Sequence, residues 1–302
     1  MTDQTTEPLI SSDDIRALEH LTLDSLDALL GGIGTRQGGP GRTGGFEFAD
    51  YRRYTEGDDV RRIDWAVYSR LRELHIRTPP QETRLALAIL LDASASMDFG
   101  RPSKLRYAQR LATLLGAVAL IRADTVQVHA LYDGNAVTGG LHATSGMLGP
   151  LAHELSEIPS GQTTDLASSV RRARDQGADA EMAVLISDAL TPPAQLAEAL
   201  HELARDARTA VLQHIVDETD ATAGPSGRAA LVDRETGHRL ELDVTEDTRM
   251  RYAERYARFR GEVERSCRAE RVRYLEVSTS VDPLTLLLEN ARTASLLMPR
   301  YA

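Results

Sequence analysis

The chain is short of several features that would classify it quickly. It has one cysteine, Cys267, in 302 residues. A lone thiol excludes an intrachain disulfide and suits a reducing compartment. No apolar run approaches the ~20 residues that a helix needs to cross a bilayer. The opening MTDQTTEPLI lacks the basic stretch and apolar core of a secretory signal. Positive charge is scarce too: 35 Lys and Arg face 45 Asp and Glu, a formal net charge of −10. Nucleic-acid binders favour a basic face, so that class is set aside. The Gly-rich stretch GGIGTRQGGPGRTGG at 31–45 lacks the Gly-Lys-Ser/Thr ending of a phosphate loop, and no strand precedes it. It reads as a flexible connector. A Gly-x-Ser-x-Gly elbow, an Asp-x-Asp-x-Thr loop and internal repeats are all missing. The expectation is a soluble, cytoplasmic protein with no membrane span and no nucleic-acid partner.

What is present is a core. Apolar residues make up 42% of the chain, enough for a large folded body. Two short runs, Leu85–Leu91 and Met182–Ile186, are continuously apolar, as strands buried on both faces are. Alternation at Val126–Tyr132 and the run Ala210–Val216 add strands, and Tyr274–Val277 adds the last. Helical patterns fall between them, over Lys104–Arg122, Gly146–Ile158, 165–176, Ala194–Ala207 and Arg249–Ala269. Strands alternating with helices predict an α/β fold: a doubly wound, mostly parallel sheet flanked by helices. A hairpin is predicted near 229–244. At the start, Ser11 or Ser12 caps a predicted helix running to Leu30, packed on the body or offered to a partner helix. A closing helix is predicted over Leu284–Leu297. The division is 1–84, holding the first helix, the Gly-rich loop and a small Arg-rich β module, and 85–302, the α/β domain.

The chemistry concentrates where the apolar strands stop. Leu91 is followed by Asp92-Ala93-Ser94-Ala95-Ser96, and Ile186 by Ser187-Asp188. Parallel neighbouring strands bring both aspartates to one sheet edge, where open α/β sheets bind ligands. Thr163 and Thr164 sit just before a helix and approach the same edge. Thr164 also suits a helix N-cap. The candidate metal set is Asp92, Ser94, Ser96, Thr164 and Asp188, with Thr163 as the alternative threonine. All are hard oxygen donors, which favours magnesium or manganese over zinc.

Upstream, FEFADYRRYTEGDDVRRIDWAVYSRLRELHIRTPPQETR mixes Arg, carboxylates, Tyr and Trp. Its bland reading is a small β layer held by Arg–carboxylate pairs and Trp65 packing. Its functional reading is a docking surface built on Arg52, Arg53, Tyr54, Asp58, Arg61, Arg62 and Trp65, residue types that anchor interfaces.

Asp92–Ser96, Thr164 and Asp188 resemble the metal-ion-dependent adhesion site of von Willebrand factor A domains. Arg42–Phe48, Tyr51–Tyr54, Glu56–Trp65 and Asp92–Met97 resemble the bacterial domain-of-unknown-function-58 family, in which an Arg-rich segment precedes such a domain. The resemblance implies a Rossmann-like A domain. It also implies a bound Mg2+, with Mn2+ or Ca2+ as the other cations, and a protein partner whose acidic side chain completes the metal shell. It further implies a gene neighbourhood with a MoxR-type AAA+ ATPase and a chaperone-like part in assembling or metallating other proteins. Two positions depart from the pattern: Ala189 and Thr163 stand where glycine is frequent. The function expected is non-catalytic, metal-dependent protein binding, with no catalytic residues. The rival is a magnesium-dependent hydrolase or phosphotransferase using Asp92 and Asp188.

Overall fold

In the computed structural model, residues 8–23, 50–55, 59–78, 84–161, 165–177, 180–221, 227–232, 239–293 and 297–299 are described. They fall into two units: Met1–Leu26 with Leu85–Ala302, and Asp27–Arg84. The N-terminal segment thus groups with the large unit, whereas the sequence division set it with the small module.

The first helix, α1, is Ser12–Leu18. The Ser11 hydroxyl accepts from the Asp14 N–H at 3.1 Å, and the Asp14 carboxylate accepts from the Ser11 N–H at 2.8 Å, a reciprocal cap. The helix stops far short of the predicted Leu30. Leu21–Leu23 forms a strand instead, β1, antiparallel to a last strand at Leu297–Pro299. The LTL alternation suits a strand, and a partner from the far end of the chain is invisible locally. The same pairing shortens the closing helix, which covers Pro283–Thr293.

In the small unit, β2 (Asp50–Arg53) pairs antiparallel with β3 (His75–Thr78). Between them lie a 3₁₀ turn, Val60–Arg62, and a helix that the pattern did not announce, α2 (Trp65–Leu71). Asp64 starts it by accepting the Val67 N–H at 3.1 Å. Ile63 and Ile76 are buried, and their backbones form an isolated antiparallel bridge.

The large unit is built on β4 (Ala86–Asp92), followed by α3 (Lys104–Ile121) and β5 (Thr125–Tyr132). Next come β6 (Asn135–His142), α4 (Leu148–Ser156), α5 (Leu166–Asp175) and β7 (Met182–Ser187). After these are α6 (Pro193–Ala204), β8 (Thr209–Val216), the strands β9 (Gly227–Val232) and β10 (Arg239–Val244), and α7 (Glu246–Ala269). β11 (Arg273–Ser278), α8 (Pro283–Thr293) and β12 (Leu297–Pro299) close the chain. The main sheet has six strands in the order β11-β8-β7-β4-β5-β6. All neighbours are parallel except β5 and β6. The edge strand β6 had not been predicted, because Gly139 and Gly140 interrupt its pattern and Val137 and Leu141 face outward. The separate β9–β10 ribbon matches the predicted hairpin.

Each side of the sheet has its own apolar layer. Leu87, Ile89 and Leu91 of β4 pack with Leu111, Leu115, Leu151 and Leu287, and Leu18 joins them. Ala88 and Leu90 pack with Val170, Leu196, Leu200, Val263 and Cys267. The doubly wound α/β architecture is therefore the one expected. β4 leads to β5 on one side and β7 leads to β8 on the other, so the sheet reverses direction between β4 and β7. The carboxyl ends of those two strands form the crevice where such sheets take ligands. Among the described residues, no helix is long and apolar enough to cross a membrane.

Because Leu18 is fully buried in the main core, Leu18→Ala is expected to cost about 2–5 kcal/mol in urea unfolding of the full chain. A loss below about 1 kcal/mol would show that α1 does not belong to that core.

Candidate functional site

At the end of β4 the chain turns tightly. The Ala93 N–H donates to the Leu131 carbonyl at 2.9 Å, and the Met97 N–H donates to the Ser94 carbonyl at 3.0 Å. The resulting 3₁₀ turn, Ala95–Asp98, is anchored by the fully buried Met97. This turn folds alternate side chains back together: the Ser94 and Ser96 hydroxyl oxygens lie 3.1 Å apart.

Asp92 is 2% exposed and Asp188 3%. One oxygen of Asp92 accepts the Ser94 N–H at 3.0 Å, and the other accepts the Ser187 hydroxyl at 2.6 Å. Ser187 accepts in turn from the Ala189 N–H at 2.9 Å. A single hydroxyl therefore ties the end of β4 to the end of β7. Asp188 accepts the Leu190 N–H at 3.2 Å, and its backbone carbonyl accepts from Nε2 of buried His214 at 3.0 Å. Ala189 has φ 54°, a left-handed conformation that costs a β-carbon about 1–2 kcal/mol. That explains why glycine suits this position, and it places backbone strain at the site.

On either side of residues 162–164, Gly161 and Asp165 each make a described hydrogen bond. The Gly161 N–H donates to the Ala93 carbonyl at 2.6 Å. A β-carbon at Gly161 would lie 2.5 Å from the Tyr132 side chain, so only glycine fits there. Thr163 and Thr164 lie outside the described residues. The cap of α5 is Asp165, which accepts the Ser168 N–H at 3.1 Å, so the N-cap reading of Thr164 is set aside.

The structure adds two residues that sequence reasoning missed. Lys104 is 1% exposed, and its Nζ donates to Asp188 Oδ2 at 2.7 Å and to Asp220 Oδ2 at 3.3 Å. Burial disfavours the ammonium, but Asp188 and Asp220 more than offset it and keep Lys104 charged. One clue was available: a lysine opening an apolar helix sits at the wrong end of the helix dipole. Asp220 follows β8 and had no local signal.

Among the described residues, no group of three or more His, Cys, Asp or Glu side chains is placed to hold a metal. The donors at this edge are two carboxylates and two hydroxyls, the hard oxygens that suit a magnesium-like cation retaining several waters.

The docking candidates in the small unit are distributed differently. Arg53 forks onto Glu73 at the surface. The Tyr54 N–H donates to the Leu74 carbonyl at 2.8 Å. Arg61 is exposed beside the 3₁₀ cap Asp59, which accepts its N–H at 3.0 Å. Trp65 is 64% exposed and edge-on to Tyr68 at 6.1 Å, so it is not the packing centre of the module. Arg52 lies on β2 opposite Ile76, and Arg62 lies in the 3₁₀ turn. Asp58 lies outside the described residues.

Burial, and then the neighbouring charge of Asp188, push the Asp92 carboxyl up to about 6; Ser187 and the Ser94 N–H pull it partly back. Its folded value thus exceeds its unfolded one. Between about pH 4 and 6 the native state binds more protons than the unfolded chain, so this group lowers stability as pH rises. The penalty, on the order of 3 kcal/mol, is fully present above pH 6 and absent below pH 4. In metal-free protein, Asp92→Asn is expected to raise stability at pH 8 and change it little at pH 4. Equal effects at both pH values in urea unfolding would contradict this.

A model described as "Protein of unknown function DUF58" matches residues 50–262. Uncharacterized proteins of Mycobacterium bovis and Mycobacterium tuberculosis are 29% identical over 281 residues, covering 89% of this chain and 84% of theirs. Among solved structures, a conserved hypothetical protein, BatB, from Bacteroides thetaiotaomicron aligns with TM-score 0.43 and 19% identity, over 69% of this chain and 98% of that one. An aerotolerance-related membrane protein from Bacteroides fragilis aligns with TM-score 0.38 and 18% identity, over 69% and 99%. The family model spans more than half of the chain and takes in both the Arg-rich module and the sheet edge that carries Asp92 and Asp188, so this protein belongs to the DUF58 family.

Proposed function

We propose that this protein is a non-catalytic, divalent-cation-dependent protein-binding module. What supports the reading is that Asp92 and Asp188 stand at the ends of the neighbouring strands β4 and β7, where the strand order reverses, and that the Ser94 and Ser96 hydroxyls meet in the turn just after Asp92. Magnesium is the cation that these oxygens suit, with Thr164 as the further donor, or Thr163 in its place. Such a set leaves coordination positions open, and an acidic side chain of a partner protein is a hard oxygen ligand able to fill one. The family resemblance adds a MoxR-type AAA+ ATPase as the partner class, and chaperone-like assembly of other proteins as the setting. Arg53, Arg61 and Trp65 of the small unit supply a second, metal-independent contact surface of the kind that anchors interfaces.

The residues do not suit the rival phosphotransferase. Both oxygens of Asp92 are engaged by the Ser94 N–H and the Ser187 hydroxyl, which weakens it as a nucleophile. The histidine at this edge, His214, spends Nε2 on a backbone carbonyl and Nδ1 on Tyr274, not on a serine.

Calorimetric titration of MgCl2 into the full chain is expected to show binding that Asp92→Ala weakens at least about tenfold, because half of the carboxylate charge is lost. Magnesium at a hundredfold excess over its Kd should raise wild-type stability by about 2.7 kcal/mol. Equal metal affinity in wild type and Asp92→Ala would remove the metal from the proposal. Capture of the ATPase is expected to fail in EDTA and with Asp92→Ala; capture that survives both would place binding elsewhere. Phosphatase and ATPase assays of the pure protein should show no magnesium-dependent turnover.

A further inference from the structure

Lys104 is the unusual feature of this edge. It is the first residue of α3, capped by Ser103, so its charge faces the positive end of the helix. It ranks among the largest fully buried side chains of the protein. Its ammonium is shared between two carboxylates from different loops, Asp188 at 2.7 Å and Asp220 at 3.3 Å. Asp188 belongs to the candidate cation site. Asp220 lies in the turn Glu218–Ala221 after β8, away from β4 and β7 in the sequence.

We propose that Lys104 is an internal counter-cation that competes with the divalent ion for Asp188, and that Asp220 is the carboxylate to which its ammonium withdraws when the ion arrives. The inference rests on the cation-site reading above and deepens it by naming what sets the affinity. Charge supports the case. Lys104 is the positive charge that Asp188 and Asp220 share, and Asp217 beside Asp220 also feels it. A divalent ion that takes Asp188 must displace or oppose that ammonium. Lys104 therefore lowers affinity for the metal and offsets part of the negative charge of the edge. It is a positioning residue and not a metal ligand. Its second anchor, Asp220, is continuous with Asp217, Glu218 and Thr219, which line an open cleft with Asp98, Phe99 and Thr279. Metal occupancy is thereby linked to the loop that borders this cleft.

The test is calorimetric titration of MgCl2 into the full-length wild type, Lys104→Met, Asp220→Asn and the double variant, with Asp92→Ala as the control. Lys104→Met is expected to bind magnesium at least about tenfold more tightly, because a nearby positive charge is gone. Asp220→Asn is expected to bind several-fold more weakly, because Lys104 then holds Asp188 alone. In the Lys104→Met background, the Asp220→Asn effect should shrink, since Asp220 acts through the ammonium. A folded Lys104→Met with wild-type or weaker affinity would overturn the proposal and leave Lys104 a structural pair. Should Lys104→Met fail to fold, Asp220→Asn decides: unchanged affinity overturns the proposal. If wild type, Lys104→Met and Asp92→Ala are all indifferent to magnesium, the cation-site reading fails and this inference fails with it. Binding by Lys104→Met where wild type shows none supports the competition in its strongest form.

Discussion

Two carboxylates buried at the ends of adjacent strands are the constraint around which the large unit is arranged. Burial, and then the neighbouring charge of Asp188, make the ionised Asp92 costly. Every polar group nearby answers to that pair. The Ser94 and Leu190 N–H groups each serve one oxygen, and the Ser187 hydroxyl and Lys104 ammonium serve the others. The apolar layers on both faces of the sheet supply the stability that lets such an edge persist.

The same constraint fixes the side chains at this edge. Asp92 has its oxygens fixed by two short contacts, and the serines meet each other instead of a histidine. The strained Ala189 and the glycine-only position Gly161 hold the surrounding loops at this edge.

The small unit follows a different logic. Among its described residues, Ile63 and Ile76 are buried while Trp65, Val60 and Arg61 are exposed. An indole on the surface gives no stability through burial, and its contact with Tyr68 is an edge-on pair of modest worth. The packing role expected of Trp65 is thus absent.

Much of this was legible in the sequence. Continuous apolar runs identify β4 and β7 because a strand buried on both faces tolerates nothing else. The alternation of strands and helices leads to the doubly wound sheet, and Asp92 and Asp188 follow from where the runs stop. Pairings between distant segments were not legible. β1 and β12 are three residues each and form only because the fold brings the chain ends together. β6 is disguised by its glycines, and α2 by being seven residues long. The ion pairs of Lys104 span 84 and 116 positions, and no local pattern encodes a contact at that range. The sequence by itself determined which residues carry charge and where strands end, since those depend on neighbours in the chain. Only the tertiary structure decided which charges meet, because that depends on the order in which strands lie side by side.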